Sequence, residues 1–141
     1  MSMYKLTDTL SVSAQITPQD IPQLAEQGFT AVVCNRPDGE SPEQASMEAI
    51  EVACHSAGLL FVRYPVNAMN FPGADLDGLG ALFDDPNQIV LAYCRTGTRC
   101  TNLWVATRAE ADLAGAVQTA RDIGFDLSMV CLLYTSPSPR D

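Results

Sequence analysis

Residues 89–104 read Ile89-Val90-Leu91-Ala92-Tyr93-Cys94-Arg95-Thr96-Gly97-Thr98-Arg99-Cys100-Thr101-Asn102-Leu103-Trp104, and their order decides the fold. The apolar run 89–93 has the length and composition of a buried strand. Residues 94–99 are polar with glycine at their centre, a tight loop, and a helix follows from about Arg99. A strand that enters a helix through such a loop leaves several backbone N–H groups unpaired around one concavity, where the helix dipole adds positive potential. Cys94 opens the loop, and surroundings of this kind lower a thiol pKa from about 8.5 to roughly 3.5–7.5. The stretch therefore predicts a thiolate nucleophile in an anion cradle. A structural thiol at a strand end is the bland alternative, but the two arginines, two threonines and glycine that follow Cys94 are more than such a thiol needs.

Outward from this turn, the chain alternates strand and helix signals. Residues 9–13, 29–34 and 59–64 read as strands, the first as a short edge strand. Thr17-Pro18-Gln19-Asp20 starts a helix that stops at Gly28, and Ser41-Pro42-Glu43-Gln44 starts another that runs to about Ala57 with Ala45, Ala49, Val52 and Ala53 on one face. Helices are also expected over about 74–84, 99–108 and 113–123, with Trp104 in the core. Such alternation implies an α/β fold of three layers, a parallel-type sheet with helices on both faces, whose ligands bind beyond the carboxyl ends of the strands. The loops 35–40, 67–73 and 94–99 all lie at such ends and should converge on one pocket. From Met129 the periodicity is lost, and Ser-Pro-Ser-Pro at 136–139 is linker-like, so 1–128 is taken as the catalytic domain and 129–141 as a non-native or disordered tail.

Composition removes several classes of function. With 47% hydrophobic and 18% charged residues, the 141-residue chain is of ordinary globular make-up. Its net charge of −9 argues against non-specific binding to nucleic acid and against docking on an anionic membrane. No apolar run approaches the roughly 20 residues of a membrane span, and Met1 to Leu10 lacks a signal-peptide core, so a cytoplasmic protein is expected. The five cysteines lack metal-ligand spacing, and a single histidine, His55, disfavours a zinc site or a Ser-His triad. A cofactor-free enzyme is expected.

Cys94-Arg95-Thr96-Gly97-Thr98-Arg99 resembles the Cys-Arg-x-Gly-x-Arg loop of rhodanese-type sulfurtransferases. The surrounding chain, from about 8 to 128, resembles the phosphatase-like domain of the β-lactamase-hydrolase-like protein family, whose fold is that of protein tyrosine and dual-specificity phosphatases. That likeness rests also on Ile16-Thr17-Pro18-Gln19-Asp20 with Gln27-Gly28-Phe29, on Asn35-Arg36-Pro37-Asp38-Gly39-Glu40, and on Gly124-Phe125-Asp126-Leu127-Ser128. Fusion of family members to a metallo-β-lactamase-like module implies, by resemblance, a persulfide dioxygenase as partner.

Two reactions use a thiolate so held. A phosphatase forms phosphocysteine and needs an acid for the leaving oxygen; a sulfurtransferase carries a sulfane sulfur as a persulfide between thiol donors and acceptors. Tyrosine phosphatases carry Cys-x5-Arg, whereas Arg99 is five positions after Cys94, one fewer. The smaller ring suits one sulfur or a thiosulfonate head, and 65–70 offers no carboxylate where dual-specificity phosphatases place an aspartate. A Cys94 persulfide sulfurtransferase is therefore the first expectation, and a phosphatase-like hydrolase the alternative. Asp38 or Glu40 could substitute for that missing aspartate, and Cys94, Arg99 and Asp38 are the expected catalytic residues; Arg95, Thr96, Gly97, Thr98 and Arg36 are the expected substrate-binding residues, the threonine hydroxyls as donors. A third reading is a non-catalytic sensor of anions or persulfides that signals through Cys94 and Cys100.

Overall fold

Ala31, Val32, Val33, Val90, Leu91 and Ala92 are fully buried, because the two strands they form lie inside a sheet covered on both faces. In the computed structural model, which describes residues 2–134, the strands are β1 (Met3–Lys5), β2 (Leu10–Ser13), β3 (Ala31–Cys34), β4 (Leu60–Arg63) and β5 (Val90–Tyr93). The helices are α1 (Ile21–Glu26), α2 (Met47–Ser56), α3 (Leu76–Asp84), α4 (Thr98–Ala106), α5 (Glu110–Ile123) and α6 (Ser128–Tyr134). The sheet order is β1-β2-β5-β3-β4, with β1 antiparallel and every other pairing parallel. This is the expected α/β architecture.

Successive side chains of a strand face opposite ways, and the core divides accordingly. Leu10, Val12, Ala31, Val33, Val90 and Ala92 join one cluster with residues of α3, α4, α5 and α6; Val32, Cys34, Phe61, Leu91 and Tyr93 join the other with α1 and α2. Removing each fully buried Val or Leu side chain from water stabilises the fold by about 1.5–3 kcal/mol. Because β5 lies at the centre and Tyr93 pairs level with Cys34 and Ser13, the loop beginning at Cys94 emerges between two neighbouring strand ends.

The structure departs from the pattern reading in four places. β1 supplies the edge, so β2 lies one strand in and is buried along its length. The second helix starts at Met47, not at 41, because Ser46 accepts the Ala49 N–H at 3.1 Å and caps it. Its buried face is Met47, Ile50 and Cys54, while Val52 is exposed. Residues 129–134, expected to belong to the tail, are helical: Val130 is 2% exposed and its N–H donates to Asn102 Oδ1 at 3.0 Å. The rest of the expected tail, 135–141, lies outside the described residues.

Candidate active site

Asn35 sets the frame. Its N–H donates to the Tyr93 carbonyl at 2.8 Å, its side-chain amide to the Tyr64 carbonyl at 2.9 Å, and its own carbonyl accepts from the Val66 N–H at 3.1 Å. One buried residue thus joins the carboxyl ends of β3, β4 and β5 and draws the three following loops together. Arg99 closes them: Nη1 donates to Glu40 Oε2 at 2.8 Å and to the Val66 carbonyl at 3.0 Å, and Nη2 to Glu40 Oε1 at 2.6 Å. The expected convergence of the 35–40 and 94–99 loops, with Val66 at the base of the third, is therefore direct.

Cys94 lies on the floor of this junction, 1% exposed. The Gly97 N–H donates to its sulfur at 3.1 Å. The Cys100 thiol bonds to the same sulfur and, despite the opposing effect of burial, this together with the backbone N–H groups of Cys100, Thr96 and Gly97 lowers the Cys94 pKa to about 5. Burial pushes the other core cysteines the opposite way: Cys34 up, Cys54 to about 11, and Cys100 well above its ordinary value. The charge of the coupled pair belongs on Cys94, which faces the amides, and the proton on Cys100, which is fully buried at the start of α4.

The loop shape depends on Gly97, which has φ +93°, a left-handed conformation that L side chains rarely adopt. A Cβ there would also approach the Phe125 ring at 3.3 Å. Beneath it Thr101 Oγ1 donates to the Gly97 carbonyl at 2.9 Å, and Asn102 donates to the carbonyls of Thr98 and Asp126, both at 2.8 Å.

The other expected site residues are distributed differently. Arg95 and Thr96 are exposed at the rim. The Thr96 and Thr98 hydroxyls bond to one another at 2.9 Å, so backbone amides and the Cys100 thiol, rather than these hydroxyls, face the sulfur. Asp38 Oδ1 accepts the Met47 N–H at 2.9 Å, at the start of α2. The carboxylate on Arg99 is Glu40, held below the usual carboxylate range chiefly by its hydrogen bond to Arg99, with Arg36 adding to the effect. Arg36, 5% exposed, donates Nε to Glu40 at 3.0 Å and Nη1 to Gln15 at 3.0 Å, and so supports Glu40 from behind. Cys100 and Gln15 had no strong signal in the sequence: the first reads as a small helix residue, and the second becomes relevant only through a contact across 21 positions. Among the described residues no group of His, Cys, Asp or Glu is placed to hold a metal ion, and no helix is long and apolar enough to cross a membrane.

The model of the family described as Beta-lactamase hydrolase-like protein, phosphatase-like domain, matches residues 2–111. The Beta-lactamase hydrolase-like protein of Agrobacterium fabrum is 29% identical over 133 residues, which cover 90% of this chain and 30% of that protein. The chain thus spans about a third of the length of the curated relatives it matches. A Neisseria meningitidis protein provisionally called a phosphatase is 32% identical, with a TM-score of 0.75 over 97% of this chain and 99% of that one. Tk-PTP in its active form, 17% identical, shares the fold with a TM-score of 0.72 over 99% of this chain and 98% of its own.

Proposed function

The chain belongs to the β-lactamase hydrolase-like protein family through its phosphatase-like domain, and on that premise we propose that it is a cysteine-dependent hydrolase of phosphate monoesters. The lowered pKa of Cys94, with three backbone amides directed at its sulfur, carries this reading. The thiolate attacks phosphorus, an S–P bond forms, and the ester O–P bond breaks with its electron pair on the leaving oxygen. Water then attacks phosphorus, and the S–P electrons return to Cys94, a good leaving group because its thiolate is stabilised. The loop amides and Arg99 balance charge on the transferring oxygens, and Arg95, Thr96, Gly97 and Thr98 border them. Glu40 holds the Arg99 guanidinium in place through two bonds.

Sulfur transfer through a Cys94 persulfide, the first expectation from the sequence, is the second reading, and the five-position spacing of Cys94 and Arg99 favours it. In that case the partners are thiol and persulfide donors and acceptors, with a persulfide dioxygenase of the metallo-β-lactamase type downstream. The four buried cysteines, all thiols, agree with a reducing, cytoplasmic setting for either reaction.

Parallel assays decide between them. Cys94-dependent release of phosphate from 4-nitrophenyl phosphate, lost in Cys94→Ser, is the expected result. Cys94-dependent formation of thiocyanate from thiosulfate and cyanide, without phosphate release, would overturn the first reading in favour of the second.

A further inference from the structure

Glu40, Asp38, Asp75 and Asp126, carboxylates of the loops near the carboxyl end of the sheet, each accept from an arginine or a backbone N–H. Glu40 has both oxygens on Arg99 and one also on Arg36, and is held anionic by them. Asp38 accepts the Met47 N–H, Asp75 accepts the Gly78 N–H at 3.0 Å and caps α3, and Asp126 accepts the Ser128 N–H at 2.7 Å. The loop after β4, which begins beside Arg99 at Val66, brings amides instead: Asn67 Oδ1 accepts from the Met69 and Asn70 N–H groups, and Asn70 Oδ1 from the Asn67 N–H. A general acid must arrive protonated and within reach of the leaving oxygen. Among the described residues, the one carboxyl group that reaches Arg99 is the one that the arginines keep ionised.

We infer that this site takes phosphate esters and anhydrides whose leaving group departs as a stable anion, aryl and acyl phosphates, and discriminates against alkyl phosphates. The inference rests on the hydrolase reading and names its substrate class. In the first step the electron pair of the O–P bond remains on a phenolate or carboxylate oxygen, and no proton is delivered to it from the protein. A carboxylate leaves readily because its conjugate acid has a pKa near 4, and a phenolate such as that of tyrosine leaves less readily because its pKa is near 10. An alkoxide requires the ~10²–10⁴-fold that a positioned acid contributes. The rate thus reports the stability of the leaving anion. Glu40 is a positioning residue in this scheme.

The experiment is a series of substrates, acetyl phosphate, 4-nitrophenyl phosphate, phenyl phosphate and O-phosphoserine, with the rate of the first turnover measured for the wild-type chain, Glu40→Gln and Asp38→Asn. A steep fall in rate with rising leaving-group pKa is expected, down to ~10²–10⁴-fold slower reaction for the alkyl ester. The same steepness is expected in both variants, whatever their effect on KM. A flat dependence in the wild type, or one that steepens in either variant, would show a working acid and overturn the inference while leaving the hydrolase reading intact. Absence of Cys94-dependent turnover across the whole series would overturn both.

Discussion

The guanidinium of Arg99 and the carboxylate of Glu40 are 59 positions apart in the chain and meet through two hydrogen bonds, 2.8 and 2.6 Å long. The pair fixes the arginine beside Cys94, and the same carboxylate also accepts from Arg36, nearly buried behind it, so that the three side chains together keep one positive charge. Glu40→Gln keeps the shape and removes the charge. Because Glu40 is partly solvated, the expected loss of stability is about 1 kcal/mol, closer to a surface pair than to a buried one. A rise in KM larger than the fall in kcat, with Arg99 less firmly held, is expected; unchanged kinetics would mean that Val66 alone orients the arginine.

Cys100 is a donor to the Cys94 sulfur, so its removal has a predictable sign. In Cys100→Ala the thiolate of Cys94 loses its leading stabilising contact, and its pKa rises from about 5 toward the ordinary thiol value. Cys100→Ser retains a donor and is expected to lie between. Following iodoacetamide labelling of Cys94 against pH reads this order directly.

The same shift links acidity to stability. An unfolded thiol titrates near 8.5, and that of folded Cys94 at about 5, so the stabilisation is fully present above the unfolded value and is lost as pH falls through about 5. The unfolding free energy of the wild type should therefore rise relative to Cys94→Ala between pH 5 and 8.5; parallel curves over that window would contradict the assignment.

Gly97→Ala tests the shape of the loop. The alanine must adopt a φ near +93° with its methyl 3.3 Å from the Phe125 ring, which costs about 1–3 kcal/mol of strain. A lower midpoint of thermal unfolding is expected together with a higher Cys94 pKa, since the Gly97 N–H is one of the donors to the sulfur.

How far the sequence revealed this arrangement depends on the range of the interactions concerned. The strand, loop and helix around Cys94 were readable because composition, glycine placement and donor geometry act within a few residues. β1 was not, since Met3–Lys5 has no pattern of its own and is a strand only by pairing with Ser11 to Ser13. Ser41-Pro42 is a genuine local start signal, overridden by contacts of the 37–47 segment: Gln44 with the Pro37 carbonyl and Asp38 with the Met47 N–H. α6 depends on Asn102, 28 positions away from Val130. Within the site, the choice between Asp38 and Glu40 was open in the sequence, because both lie in one loop and only the folded chain brings one of them to Arg99.

The ionisation of Cys94 is the central claim, and ultraviolet titration of its thiolate, taken as the difference between wild type and Cys94→Ser, measures it most directly. A transition at about pH 5 is expected. A transition at the ordinary thiol value, near 8.5, would contradict the account, leaving the amides of Thr96, Gly97 and Cys100 around an unactivated thiol.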